Sequence, residues 1–232
     1  MFTLKNSVLK ATFVLQVLLF SLKAQNNLIL NGSFENNNCN AGASGNAYEG
    51  LSNNMYNSLI NNSIGFGTDE NIDILKQNSG FCGGAQDGIW YAALTSGGTD
   101  AFSLKLSSSI IQNNTYSLSF YTRAYTNIIP GAPCPVKIGL SNNDTMFGSL
   151  IYTSSIPIDT CQWVQSSITF TAMINAQYLT VTCGGPNNTS TDWIHVDNFV
   201  LDTESTSGIE SIKANEQMQL FPNPVNAYLN CN

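Results

Sequence analysis

The single histidine of the chain, His195, stands two positions before Asp197 in the run Trp193-Ile-His-Val-Asp-Asn-Phe-Val-Leu201. In an extended segment both side chains share one face. An imidazole beside a carboxylate is the base of a serine hydrolase, but its partner serine needs a Gly-x-Ser-x-Gly elbow, and the sequence contains none. One histidine also removes zinc sites built on paired histidines. A two-carboxylate glycosidase leaves no sequence signature. The alternating faces here carry Ser, Thr and Tyr where such an enzyme would carry acids, so a hydrolase ranks below non-catalytic readings. A different chemistry is offered by Tyr121, Arg123 and Tyr125, at alternate positions of one run. Aromatic faces bury the apolar side of a sugar ring, and a planar donor reads its hydroxyls. These three are the candidate ligand-binding residues.

Strands must position them. Tyr116 to Ala124 alternates strictly, with Tyr116, Leu118 and Phe120 on one side and Ser117, Ser119, Tyr121 and Arg123 on the other. Similar alternation marks Gly88 to Leu94, Val136 to Leu140, Ser167 to Ala172, Tyr178 to Cys183 and Trp193 to Leu201. Asn, Gly and Ser clusters separate them, and no segment shows a convincing 3.6-residue period. The pattern predicts an all-β chain with two packed antiparallel sheets. In the last strand Ile194 and Val196 have opposite parity to Phe199 and Leu201, so a bulge near Asp197-Asn198 is required. Residues Asn36 to Gly80 read as long surface loops, apart from apolar stretches at Met55 to Ile60 and Ile72 to Leu75. Trp90 and Trp193 read as structural aromatics, and Trp163 as a core residue.

Charge narrows the partners. The 232 residues hold 8 basic and 15 acidic side chains, and 30 are Asn. No basic patch able to neutralise several phosphates can be assembled, which argues against nucleic acid. Lys5 and Lys10 followed by the apolar run Ala11 to Leu22 and then Ala24-Gln25 predict a secretory signal over residues 1–24. That run is short of the roughly 20 residues needed to span a bilayer, so no transmembrane segment is expected. Cleavage after Ala24 removes three of the 8 basic residues and leaves a net charge of −10. Export in turn predicts disulfides among the 6 cysteines, none of which has Cys-x-x-Cys spacing. Five of them, Cys39, Cys82, Cys134, Cys161 and Cys183, precede the C-terminal segment that holds Cys231, so one stays unpaired or pairs with Cys231. Cys134 with Cys161 closes the shortest loop among the later three, but spacing does not choose between pairings.

Asn27-Leu-Ile-Leu-Asn-Gly-Ser-Phe-Glu35 and Trp193 to Leu201 resemble the first and last strands of carbohydrate-binding-module-like jelly rolls, which belong to the galactose-binding-like sandwiches. Asn114 to Ala124 resembles the family's central strand, and Trp163-Val-Gln-Ser-Ser-Ile-Thr-Phe-Thr171 the strand entered through a tryptophan. The resemblance covers roughly Asn26 to Thr203, which sets the expected domain at residues 25–204. It implies a non-catalytic module that binds carbohydrate. It also implies a structural calcium ion between the first and last strands, with Glu35 and Asp197 at the family's positions and Asp100 as a third carboxylate.

A second resemblance lies at the other end. Leu220-Phe-Pro-Asn-Pro-Val-Asn-Ala-Tyr-Leu-Asn230, preceded by Gly208-Ile-Glu210, resembles the opening strand of the C-terminal sorting domain used by type IX secretion. Pro222, Asn223 and Pro224 carry the motif. Residues 205–232 are then a linker and the start of a sorting domain, incomplete at Asn232. Together the two resemblances imply a protein exported by the type IX machinery to the cell surface or medium. The alternative is a surface adhesin or matrix protein with a protein ligand.

Overall fold

Eleven strands among the described residues build two antiparallel sheets with their apolar faces turned to each other. The computed structural model describes residues 27–40, 47–68, 70–76, 82–95, 99–125, 135–155, 161–184 and 193–204. Residues 1–24, read as a signal, the expected sorting motif at Pro222, Asn223 and Pro224, Cys134 and Cys231 lie outside these residues. One sheet holds β1 (Ala47–Leu51), β3 (Ile72–Lys76), β4 (Trp90–Thr95), β11 (Trp193–Thr203), β6 (Thr115–Tyr125) and β9 (Val164–Thr171), in that order. The other holds β2 (Ser63–Gly65), β5 (Ala101–Ile110), β10 (Ala176–Cys183), β7 (Val136–Ser141) and β8 (Ser149–Thr153). The all-β antiparallel sandwich expected from alternation is the architecture found.

The required bulge is present. Asp197 pairs with Tyr121 and Val200 with Ser119, and Asn198 takes a positive φ of 50°. The shift returns Phe199 to the interior, where it stacks on Phe120 at 5.1 Å and meets Phe34 and Phe102 edge-on.

The loop reading of Asn36 to Gly80 is overturned at β1 and β2, while helix α1 (Asn53–Leu59) and β3 coincide with the two apolar stretches set apart from it, Met55 to Ile60 and Ile72 to Leu75. Ser52 caps the helix by accepting the Met55 N–H at 3.3 Å, and Tyr56 enters the core, its hydroxyl 2.7 Å from Ser63 Oγ. Short apolar runs set among many Asn residues left these elements without a readable period, because about two helical turns and strands of 3 and 5 residues are too short.

The stretch resembling a first strand forms only one isolated bridge, Ile29 to Leu106, and otherwise turns. It stitches the two sheets together instead. Leu28 N–H donates to Leu201 O in one sheet, while Leu30 N–H donates to Lys105 O in the other. At Gly32 the approach is so close that a Cβ would stand 2.0 Å from the Phe199 carbonyl oxygen. Only glycine fits there.

Candidate functional site

The outward face of the six-stranded sheet carries a second, smaller apolar cluster. Leu75, Tyr91 and Ala93 are buried there, with Trp163, Trp193 and Ala85 packed against them. In its middle lies Arg123, 2% exposed on a sheet face that alternation assigns to solvent. Its Cζ sits 4.2 Å from the Trp163 ring centre and 5.0 Å from that of Tyr91. Nη1 donates to the carbonyls of Cys82 and Gly84, at 3.1 and 3.0 Å, and Nε donates to His195 Nδ1 at 3.1 Å. A buried cation needs such a shell of acceptors and π faces.

The guanidinium thus pins a loop over the sheet. Trp163 Nε1–H donates to the same Gly84 carbonyl, and Tyr91 donates to Gly83 O. The disulfide Cys82–Cys161 anchors the loop to the segment before β9. Carboxylates hold its continuation: Asp197 Oδ2 accepts the N–H groups of Gln86 and Asp87, and Glu35 Oε1 accepts those of Ile89 and Trp90. Gly88, at φ +68°, lies so close to Glu35 that a Cβ would meet its carboxylate at 2.4 Å.

Beside the pinned loop opens a cleft of about 420 Å³ lined by Glu49, Gly50, Asn71, Asp73, Leu75, Tyr125, Trp193 and His195. Its size lies within the range of small-ligand sites, roughly 300–1,000 Å³. Trp193 and Tyr125 are direct cross-strand partners on β11 and β6, so two half-buried rings stand side by side. Tyr125 also stacks on His195, with 5.8 Å between ring centres and 15° between planes.

Two buried ionisable groups face this cleft. Burial first, and then the Arg123 charge, hold His195 well below the usual histidine value, so it is a neutral imidazole. With Nδ1 accepting from Arg123, its proton sits on Nε2. Asp73 is 5% exposed, and its Oδ1 accepts the Gly50 N–H at 2.6 Å. Burial pushes its carboxyl up to about 7, the Gly50 bond opposes this, and the charges of Glu49 and Asp100 add to the rise.

The sequence-derived candidates fare unequally. Tyr121, Arg123 and Tyr125 do share one face, but they are not an open platform. Arg123 is buried under the loop, and Tyr121 sits opposite Asp197 and Gln165, away from the lining of the cleft. Tyr125 alone of the three lines the cleft. Trp163 is not a core residue of the sandwich: it lies half-buried on the outer face as the lid of Arg123. His195 touches Arg123, Tyr91, Tyr125 and Trp163, and no serine hydroxyl bonds to it among the described residues.

The calcium trio does not converge. Glu35 and Asp197 flank one loop at the Trp90 end of β4, whereas Asp100 accepts from Thr95 N–H and Asn71 N–H at the other end. Five strand steps separate those ends by about 17 Å. The donors pointing at the Glu35 and Asp197 oxygens are backbone N–H groups, the wrong polarity for a cation's neighbours. Among the described residues no three of His, Cys, Asp and Glu group as metal ligands. Burial pushes the Asp197 carboxyl up to about 8, against three backbone N–H bonds.

Sequence reasoning missed Trp193, Glu49, Asn71 and Asp73. Trp193 shares the parity of His195 and Asp197, and that signal was available. Glu49 and Asn71 lay in the stretch read as loop, and Asp73 in the apolar stretch Ile72 to Leu75, where nothing in the local pattern marks it as functional.

No protein-family model and no curated protein matches the sequence. Solved structures match the fold. A Stig cyclase from Fischerella sp. TAU in complex with (3Z)-3-(1-methyl-2-pyrrolidinylidene)-3H-indole superposes with a TM-score of 0.53 at 14% identity, over 77% of this chain and 96% of that one. An apo cyclase from Fischerella sp. gives 0.52 at 14% identity, over 77% and 95%. A family 16 carbohydrate-binding module gives 0.43 at 17% identity, over 75% and 99%. At 14% identity the likeness to the two cyclases is one of fold.

Proposed function

We propose that this chain is a non-catalytic carbohydrate-binding module, exported by type IX secretion to the cell surface or medium, and that its ligand site is the cleft beside the pinned loop. The observation that carries the binding reading is the Trp193 and Tyr125 pair standing beside Glu49, Asn71 and Asp73 in one cleft. Rings supply a flat apolar face, and carboxylate and amide groups at its edge match hydroxyls. The signal-like residues 1–24 and the motif around Pro222 and Pro224 support the export route.

A glycan array probed with the full chain tests the reading, followed by titration calorimetry with Trp193→Ala and Tyr125→Ala. Either substitution is expected to weaken binding at least tenfold while the circular dichroism spectrum is retained. A folded chain that binds no plant, algal or host glycan defeats the carbohydrate reading. Undiminished surface display after deletion of Phe221 to Asn230 from the gene defeats the export route.

A further inference from the structure

Among the described residues, neither carboxylate of the cleft has a cationic partner. The charges that Asp73 feels are those of Glu49 and Asp100, all of its own sign. No lysine or arginine lines the cleft among the described residues, and Arg123 beneath it directs Nε to His195 and Nη1 to Cys82 and Gly84. Asp73 is more than nine-tenths buried with Oδ1 committed to Gly50, and Oδ2 takes no hydrogen bond from any described residue. Ionised, a carboxylate placed this way costs folding free energy, and a bound cation would offset that cost. Next to it, the faces of Trp193 and Tyr125 attract cations through their ring quadrupoles.

We infer that the cleft selects an oligosaccharide bearing a free amine, with the ammonium group held between the Asp73 and Glu49 carboxylates and the sugar ring against Trp193 and Tyr125. The inference rests on the carbohydrate reading above and deepens it. Neutral sugars would leave the two carboxylates facing only hydroxyls, and uronic acids would be repelled.

The test titrates the full chain at pH 7 with four probes: a glucosamine hexamer, its fully N-acetylated counterpart, cellohexaose and spermine. The glucosamine hexamer is expected to bind at least tenfold more tightly than the other three. Asp73→Asn keeps an acceptor for the Gly50 N–H, so the fold survives while the charge is lost. This variant should erase the preference for the amine, lowering affinity for the glucosamine hexamer far more than affinity for the N-acetylated one. Glu49→Gln should reduce the preference in the same direction. Equal or tighter binding of the neutral hexamers overturns the amine inference and leaves the carbohydrate reading intact. Spermine binding as tightly as the glucosamine hexamer overturns the sugar component. Failure of all four probes to bind folded chain overturns the inference and, together with a blank glycan array, the reading beneath it.

Discussion

Arg123 donates its Nε–H to Nδ1 of His195 across adjacent strands β6 and β11, with 3.1 Å between the nitrogens. The pair joins two roles. It fixes the imidazole as a neutral ring whose flat side stacks on Tyr125 in the cleft, and its other end ties the loop of Cys82 to Gly84 over the sheet. One buried cation therefore couples the loop to the cleft wall.

Arg123→Lys should loosen that coupling. A lysine ammonium cannot reach three acceptors in a fixed plane while lying between two rings. The expected loss is roughly 2–4 kcal/mol of stability by urea denaturation, because the Cys82 carbonyl and the His195 imidazole nitrogen lose the guanidinium donor and the Gly84 carbonyl keeps only Trp163. A loss below about 0.5 kcal/mol would show that the bonds are dispensable.

The disulfide is expected to act on the same loop. Cys82 and Cys161 are 79 residues apart in sequence, so their bond removes much loop-closure entropy from the unfolded chain. Replacing both with Ser should lower stability by about 2–5 kcal/mol and raise amide exchange at Gly83 to Asp87. Exchange rates unchanged in that loop would mean that Arg123 holds it alone.

Stability should fall as pH rises. Asp73 and Asp197 are raised from the ordinary 3.8 to about 7 and about 8, chiefly by burial. Between pH 3.8 and those values the folded chain keeps protons that the unfolded chain has released, so stabilisation present below the window is lost through it and levels off above. The melting temperature of Asp73→Asn should accordingly vary less than wild type between pH 5 and pH 7.5. A wild-type curve that climbs through this interval more steeply than the variant's would reverse the assigned sign.

Chelation should leave the melting temperature unmoved. Glu35 and Asp197 are occupied by four N–H groups of the loop at Gln86 to Trp90, and Asp100 lies at the far end of β4. A melt in EDTA against one in excess calcium checks this. A drop of several degrees on chelation, reversed by calcium, would return Glu35 and Asp197 to the role of ion ligands.

Local pattern made most of the sandwich legible. The alternation of Tyr116 to Ala124 predicted β6 to within a residue at either end, and the parity break after Val196 located the bulge at Asn198. Both are statements about neighbours along the chain, which a two-residue period records directly. The stretch from Asn36 to Gly80 defied the same logic. Its strands β1 and β3 form because they pair with each other and with β4, so their stability comes from partners distant in sequence.

The candidate site divides along the same line. Alternation placed Tyr121, Arg123 and Tyr125 on one face, and side-chain chemistry marked them for attention. Only the tertiary structure decided that this face is half covered: a loop stapled by Cys82 to Cys161 buries Arg123 and leaves Tyr125 to meet Trp193, Glu49, Asn71 and Asp73 in a cleft. The sequence by itself determines which way each side chain leaves its strand, because the pleat is local. What covers that side chain, and which carboxyl group ends beside it, depends on strand order and on loops crossing from elsewhere, which no local period encodes.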